Sequence, residues 1–196
     1  MEFEYRLTGT GWAEARIADD TSHLVLTASY LSDALGDLLE AIGLLLEGVS
    51  EARCSWEEEP GEYRWIFVRT GDNAVQLNIL DQRGVLVFST TQLLGVFARA
   101  IADGAAATLG EYGEAGYLAE WVKAPFPTAH LAFIREQLST PPWADMNAAE
   151  VTNGSERVRM PTHETTDQKV EGSTPSDPGD FFAGQALFFE VVASRL

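Results

Sequence analysis

The first part of the chain alternates between apolar and polar residues, which is the pattern typical of strands. Phe3, Tyr5 and Leu7 fall on one side of the segment EFEYRL, and the segments WAEARIA and HLVLTA continue the two-residue period. Glycines and the cluster ADDTS separate the three segments, as turn residues do. The pattern therefore predicts three consecutive strands before residue 30.

The period becomes helical in the segment SYLSDALGDLLEAIGLLLEGVS. Apolar residues recur there at alternating steps of four and three, at Leu31, Leu35, Leu38, Ile42, Leu45 and Val49. A stripe of this kind is typical of a helix that packs on a sheet. It is too short, and too poor in regular flanking charge pairs, to indicate a coiled coil. We expect a buried helix over 31–48, with Ser32 as its N-cap and Gly48 at its end.

Residues 51–89 return to the two-residue period in four segments, EARCSWEE, EYRWIFVR, AVQLNIL and VLVFS, which predict a meander. Helical spacing then follows in TTQLLGVFARAIADGAAATLG, where Ser89 or Thr90 can act as the cap, and in GEAGYLAEWVKA and TAHLAFIREQL. This order predicts an α+β fold, in which the long helix and the C-terminal helices pack on an antiparallel sheet, the meander. Helices on one sheet face leave the other to solvent or a partner.

The composition of the chain changes at Ser139. Residues 1–138 form the predicted single α+β domain. Residues 139–180 contain one aromatic residue, Trp143, and are rich in small polar, acidic and proline residues, which predicts a disordered polar linker. Residues 181–196, FFAGQALFFEVVASRL, form an apolar C-terminal segment. We expect this segment to dock on the domain, to bind a partner or to promote aggregation.

The chain is strongly acidic, with 30 acidic residues against 13 basic ones and a net charge of −17. Residues 1–138 hold 21 acidic and 9 basic residues, and residues 139–196 hold 9 and 4, so both parts are acidic. Phosphate backbones and anionic lipids attract clustered Lys and Arg, so this balance argues against nucleic-acid binding and membrane attachment. It allows a basic protein partner.

Several features bear on the compartment. The segment MEFEYRLTG lacks the basic and apolar regions of a signal peptide, and no apolar run reaches the roughly 18 residues of a membrane helix. The single cysteine, Cys54, has no second cysteine in the chain to bond with. We therefore expect the reducing environment of the cytoplasm.

The stretch CSWEEEPGEYRW, residues 54–65, places glutamates around a Pro-Gly pair. Keeping the aromatic residues on one face predicts a hairpin with a four-residue loop, Glu59–Glu62, in which Pro60 and Gly61 fit a type II turn. The expected cross-strand pairs are Trp56 with Trp65, Glu57 with Arg64, Glu58 with Tyr63 and Cys54 with Phe67.

In this register the glutamates do not converge. Glu57 pairs with Arg64, Glu58 lies at the edge of the aromatic face, and Glu59 and Glu62 lie in the exposed loop. An acid–base pair needs two carboxylates aimed at one pocket, and a hard-cation site needs several converging oxygens. We therefore predict no catalytic or metal role here, and name Glu58, Glu59 and Glu62 as candidate protein-contact residues.

No other catalytic, cofactor-binding or metal-binding residue is predicted. Cys54 falls on the aromatic face, where a buried, inert thiol is the usual case. The histidines, His23, His130 and His163, are scattered and show no metal-ligand spacing. The chain has no GxSxG sequence, and the GTG stretch near the N-terminus lacks the third glycine of a dinucleotide loop. A Ser-His-Asp triad stays open, because triads are assembled in space.

Three stretches together carry a family resemblance: WEEEPGEYRW at 56–65, ASYLSDALGDLL at 28–39 and GYLAEWVKAPFPTAHL at 116–131. With them, roughly residues 2–138 resemble a family of small acidic bacterial proteins that carry this hairpin and to which no activity is attached. The resemblance therefore implies no functional residue. Residues 139–196 lie outside the pattern.

Three functions stay open. The first is a non-enzymatic binding protein for a basic protein partner, similar to immunity or antitoxin-type proteins in charge and size only. The second is a small-molecule-binding or enzyme domain with a pocket between helix 31–48 and the sheet, where Arg64, His23 or Glu57 would converge. The third is a structural or assembly subunit joined through residues 181–196. The sequence does not decide the oligomeric state.

Overall fold

The order of elements along the chain matches the predicted order of strands and helices. The computed structural model describes residues 1–140, 142 and 143. Its elements are β1 (Glu2–Gly9), β2 (Trp12–Ala18), β3 (His23–Ser29), α1 (Ala34–Leu46), β4 (Glu51–Glu58), β5 (Gly61–Arg69), β6 (Ala74–Leu80), β7 (Leu86–Leu93), α2 (Leu94–Trp121) and α3 (Thr128–Ser139). The α+β prediction is confirmed. Apart from residues 139, 140, 142 and 143, the predicted linker 139–180 and the apolar segment 181–196 lie outside the described residues.

The described strands form two antiparallel sheets, ordered β1-β2-β3 and β4-β5-β6-β7. Every ladder joins strands that are neighbours in sequence, as expected for short connections. The strand order breaks at α1, which separates β3 from β4 along the chain. Helix α2 packs mainly on β1, α1 packs on β4, and α3 packs against both helices.

Alternation along the strands directs one face of each sheet into a shared core. From the first sheet, the larger buried side chains are Phe3, Tyr5, Leu7, Ile17 and Leu26. From the second sheet, they are Trp56, Trp65, Phe67, Val75, Leu77, Ile79 and Phe88. The aromatic side of the β4–β5 hairpin therefore faces inward, as its two-residue period predicts.

Helix α1 buries the middle of the predicted stripe, but it spans Ala34–Leu46 rather than 31–48, so Leu31 and Val49 lie outside it, and the predicted cap is wrong. The helix begins at Ala34 with Asp33 in the cap position, and Ser32 instead accepts a hydrogen bond through its Oγ from the Glu57 N–H at 3.1 Å. Hydroxyl side chains cap helices well, but the Ser32 hydroxyl accepts its hydrogen bond from the hairpin and not from the first turn of α1. Gly48, with φ of +100°, follows the helix as expected.

The start of α2 lies later than the sequence predicts. Ser89 and Thr90 belong to β7, paired with Asn78 and Leu77, so neither caps the helix. The ladder with β6 therefore outweighs the capping tendency of these hydroxyl residues. Helix α2 also runs through Gly104, and its one non-helical residue is Gly113, with φ of 63° and ψ of 171°.

The β4–β5 hairpin differs from the predicted register by two residues. The two strands meet at a two-residue turn, Glu59 and Pro60, joined by a cis peptide bond, so the four-residue loop and the type II turn were wrong. The observed partners are Trp56 with Tyr63, Cys54 with Trp65, Glu57 with Glu62, Glu58 with Gly61 and Ser55 with Arg64. A shift of two leaves every side chain on its own face, which is why the buried set was still right.

Candidate protein-contact surface

The tip of the β4–β5 hairpin holds the glutamates that the sequence singled out, and their surroundings differ. Glu59 is exposed in the turn. Glu58 is half-buried, and its Oε1 accepts a hydrogen bond from the Thr27 hydroxyl at 2.6 Å. Burial, and then the nearby Glu58 carboxylate, raise the pKa of the Tyr63 hydroxyl. Glu58 is therefore built into the contact between the hairpin and β3, while Glu59 remains available at the surface.

The predicted Glu57–Arg64 pair is wrong, because Arg64 lies opposite Ser55. The Arg64 Nε lies 3.4 Å from Glu62 Oε1, an ion pair at the surface of the kind that contributes little to stability. Strand alternation places Glu57 and Glu62 on the outer face and Glu58 on the inner one. Within the described residues, no three His, Cys, Asp or Glu side chains are grouped to hold a metal ion.

The loop between β3 and α1 lies beside this tip. The bond from the Glu57 N–H to Ser32 Oγ joins the two segments. The ring of Tyr30 covers Gly11, since a Cβ at Gly11 would lie 2.7 Å from Tyr30 Cδ1, and Gly11 has φ of +78°. A side chain at position 11 would therefore be excluded both by space and by backbone conformation.

Two backbone hydrogen bonds attach the same loop to the C-terminal end of α2. The Tyr30 N–H donates to the Gly11 carbonyl at 2.8 Å, and the Gly11 N–H donates to the Glu120 carbonyl at 2.6 Å. Around these bonds lie four large apolar side chains, which we call the apolar patch: Tyr30, Leu31, Leu118 and Val122, exposed by 44, 49, 47 and 53%. The backbone of Glu120 takes part in these bonds, and the Ser32 bond connects the same loop to the hairpin strand that carries Glu57 and Glu58.

Val122 holds the most unusual backbone conformation at this surface. Its φ of 70° and ψ of −38° place a β-branched residue in a region that such residues rarely adopt. The Lys123 N–H donates to the Trp121 carbonyl at 2.8 Å, which closes a three-residue turn of the rare, strained type. Conformations of this kind cost about 1–3 kcal/mol and are found mainly at functional sites.

In the core, several polar atoms are buried without hydrogen-bond partners among the described residues. They are the hydroxyls of Tyr5 and Tyr117, the indole N–H groups of Trp56, Trp65 and Trp121, and Asp33 Oδ1. Burial raises the pKa of both tyrosines and of Asp33. The tyrosine rings and Trp121 are at most 2% exposed, so a substrate cannot reach this cluster without movement of the end of α2.

The remaining sequence candidates do not come together. Cys54 is buried, and burial raises the pKa of its thiol, so the reactive thiolate is disfavoured. His23 begins β3 and His130 lies on α3, both exposed, and His163 lies outside the described residues. Arg64 lies on the outer face of the second sheet, away from α1.

The interface between α1 and the core is filled by side chains. Five of them are fully inaccessible: Leu35, Leu38, Leu39, Ile42 and Leu45. A cavity of about 350 Å³ lies instead around the β2–β3 turn, lined by Arg16, Asp19 and His23 among others. Another, of about 170 Å³, lies between Arg99 on α2 and Arg135 on α3. The α1 side chains that would line the expected pocket between helix 31–48 and the sheet are thus closed to solvent, and both of these cavities lie elsewhere.

The apolar patch was not predicted, because its members come from distant segments. The stripe that predicts helix 31–48 begins at Leu31, whereas Leu118 and Val122 fall in the short predicted helix GEAGYLAEWVKA. A sequence signal near this surface is the Val-Lys-Ala-Pro stretch, because Pro125 disfavours helix in the residue before it and so predicts that the helix ends there.

The chain matches no protein-family model, no curated protein and no solved structure. The resemblance to small acidic bacterial proteins therefore stays a prediction. None of the helices in the described part of the chain combines the length and apolar character needed to cross a membrane.

Proposed function

We propose that this chain is a non-enzymatic binding protein whose partner is a basic protein. The observation that carries the proposal is charge: 21 acidic residues against 9 basic ones in residues 1–138. Glu59 and Glu62 at the hairpin tip are the residues through which we propose that this charge meets the partner. Glu58 attaches the tip to β3 by accepting a hydrogen bond from the Thr27 hydroxyl. The likeness to immunity-type proteins remains one of charge and size.

A binding role fits the dispersal of the reactive groups better than catalysis does. The carboxylates of the tip point to different faces, the thiol of Cys54 is buried, and the interface of α1 is filled. The alternative of an assembly subunit depends on residues 181–196, which lie outside the described residues, and it stays a prediction. The cytoplasmic address is likewise still a prediction.

The test starts from a photo-crosslinking residue placed at position 59 of the full chain in its native host, followed by purification of the crosslinked protein. We expect that protein to be basic, and to associate more slowly as salt rises, because screening weakens attraction between exposed charges. Glu59→Lys together with Glu62→Lys should lower the association rate about ten-fold in low salt.

One control is Glu47→Lys, which makes the same kind of charge change at the C-terminal end of α1. A second control carries both Glu47→Lys and Asp72→Lys, and it matches the total charge change of the variant with Glu59→Lys and Glu62→Lys. These controls should change the rate much less. An acidic or neutral partner, or an association rate that does not depend on salt, would count against the proposal.

A further inference from the structure

We infer that the apolar patch is the centre of the partner interface, and that the partner presents an apolar side chain within its basic surface. This inference rests on the proposed function and adds what the partner must carry besides charge. The patch consists of Tyr30, Leu31, Leu118 and Val122, and we take as its acidic rim the hairpin glutamates, connected through Ser32, and Glu120, connected through Gly11.

Clustering is the first support. Two segments some ninety residues apart in the sequence are joined through Gly11, and each delivers two apolar side chains that are about half exposed. Single exposed apolar residues are ordinary, whereas a contiguous group with a polar rim is characteristic of interaction sites. Interfaces of this kind combine an apolar, water-excluding centre with a charged periphery.

The backbone of Val122 is the second support, and it is independent of the first. A glycine would adopt a φ of 70° without the steric cost that a β-branched residue bears. The side chain of Val122 is 53% exposed, so packing within the described residues does not account for its presence. A strained, exposed valine is accounted for if a partner contacts its methyl groups.

Charge selects the occupant. A second copy of this chain would also carry a net charge of −17, and it would bring glutamates of its own against the rim. Like charges brought together in an interface oppose association. Lys123 follows Val122 directly and leaves the rim negative overall. A cationic protein surface with an apolar anchor side chain is therefore the occupant that we propose.

The experiment uses the full chain and three synthetic peptides of equal length as probes. The first is rich in lysine and carries leucines along one helical face, the second has serines in place of those leucines, and the third has glutamates in place of the lysines. Fluorescence anisotropy gives the Kd of each in about 0.05 M and about 0.5 M salt. We expect the first peptide to bind at least ten-fold more tightly than the second, and the third to bind weakest.

Two variants of the patch test its role, each with a matched control. Leu118→Ser should weaken binding of the leucine-bearing basic peptide about ten-fold, while Leu93→Ser, at an apolar residue of similar exposure at the end of β7, should not. Val122→Gly should also weaken binding, with no fall in the thermal midpoint because the strain is relieved. Val49→Gly, at another exposed valine, should leave the Kd unchanged.

The outcomes separate the two proposals. If both basic peptides bind equally and the patch variants have no effect, the apolar centre is wrong and the charge-based function stands. If the acidic peptide binds as well as the basic ones, and salt changes nothing, the proposed function fails and the inference fails with it. If sedimentation shows a dimer of the full chain that Leu118→Ser dissociates, the occupant is a second copy and the inference is overturned.

Discussion

Gly104 sets the distance between α2 and the first sheet. A Cβ at this position would lie 2.5 Å from the Phe3 carbonyl oxygen and 2.7 Å from Phe3 Cδ1. One turn later, the Thr108 hydroxyl donates to the Tyr5 carbonyl at 2.6 Å, and Tyr112 donates to the Leu7 carbonyl at 3.1 Å after another turn. Gly104, Thr108 and Tyr112 thus form one row along α2 that contacts the carbonyls of alternate residues of the edge strand β1. This contact keeps another strand from pairing with those carbonyls.

From this contact we predict opposite effects for two Gly→Ala substitutions in one helix. Gly104→Ala pushes the backbone of α2 away from the backbone of β1 and should lower the free energy of unfolding by about 2–3 kcal/mol. Gly110→Ala meets no atom within 4 Å and should raise it by up to about 1 kcal/mol, because alanine favours helix. Urea titration followed by circular dichroism measures both. Equal effects would contradict the close approach at Gly104.

At the scale of elements, Gly113 interrupts α2 so that its last turns can enter the core. Its φ of 63° and ψ of 171° lie in a region that is essentially restricted to glycine. Beyond the interruption, Tyr117 and Trp121 are fully buried, and Glu114 accepts a hydrogen bond from the Thr128 hydroxyl at 2.6 Å. The interruption therefore orients the end of α2, which carries the patch residue Leu118 and leads into Val122.

We therefore predict that Gly113→Ala lowers the free energy of unfolding by about 1–3 kcal/mol, because an L-residue is strained in this conformation. Gly116→Ala, three residues later, has helical backbone and only an ordinary contact of 3.5 Å with Tyr112 Cβ, so it should be neutral or slightly stabilising. Chemical denaturation of the two variants side by side checks this. A Gly113→Ala variant as stable as Gly116→Ala would show that the helix can run straight.

The strands could be predicted from the sequence more completely than their pairing. Alternation placed Trp56 and Trp65 on the buried face, and their ring centroids lie 4.7 Å apart, but as diagonal neighbours. A period of two cannot distinguish registers that differ by two residues, so the turn at Glu59 and Pro60 was missed. The ends of some helices were predicted wrongly for a related reason, since hydroxyl residues such as Ser89 occur both at helix N-caps and within strands.

At the scale of the whole molecule, the acidic half of the candidate surface could be predicted and the apolar half could not. The glutamates of the tip are adjacent in the sequence, so their charge is visible there directly. The segments that carry Leu31 and Leu118 are joined by the tertiary hydrogen bonds of Gly11 with Tyr30 and Glu120. Local periodicity predicts a helix at each leucine, but it gives no information about which distant segments come together in the fold.

The dependence of stability on pH combines groups across the whole molecule. Burial raises the pKa of Asp33 and Asp37, whereas hydrogen bonds, first from the backbone N–H groups of Thr21 and Val85, lower the pKa of Asp19 and Asp81. A raised carboxyl pKa means that the folded state binds the proton more tightly, so stability falls as pH rises through the folded-state pKa. A lowered pKa acts in the opposite sense, and its contribution is lost as pH falls below the unfolded value.

Net charge adds to the first effect, because 30 acidic against 13 basic residues repel one another more strongly as the carboxyls ionise. We therefore predict greatest stability at about pH 4–5, a decline above it that levels off once Asp33 and Asp37 have ionised, and a steeper loss below about pH 4, where the bonds to Asp19 and Asp81 are lost. Urea midpoints measured across this range check the curve. Asp33→Asn should raise the midpoint near pH 8 more than the exposed control Glu47→Gln, which makes the same charge change, because only Asp33 is ionised in a partly buried site. Equal shifts for the two variants would mean that the decline toward high pH comes from net charge alone, without a share from burial of Asp33.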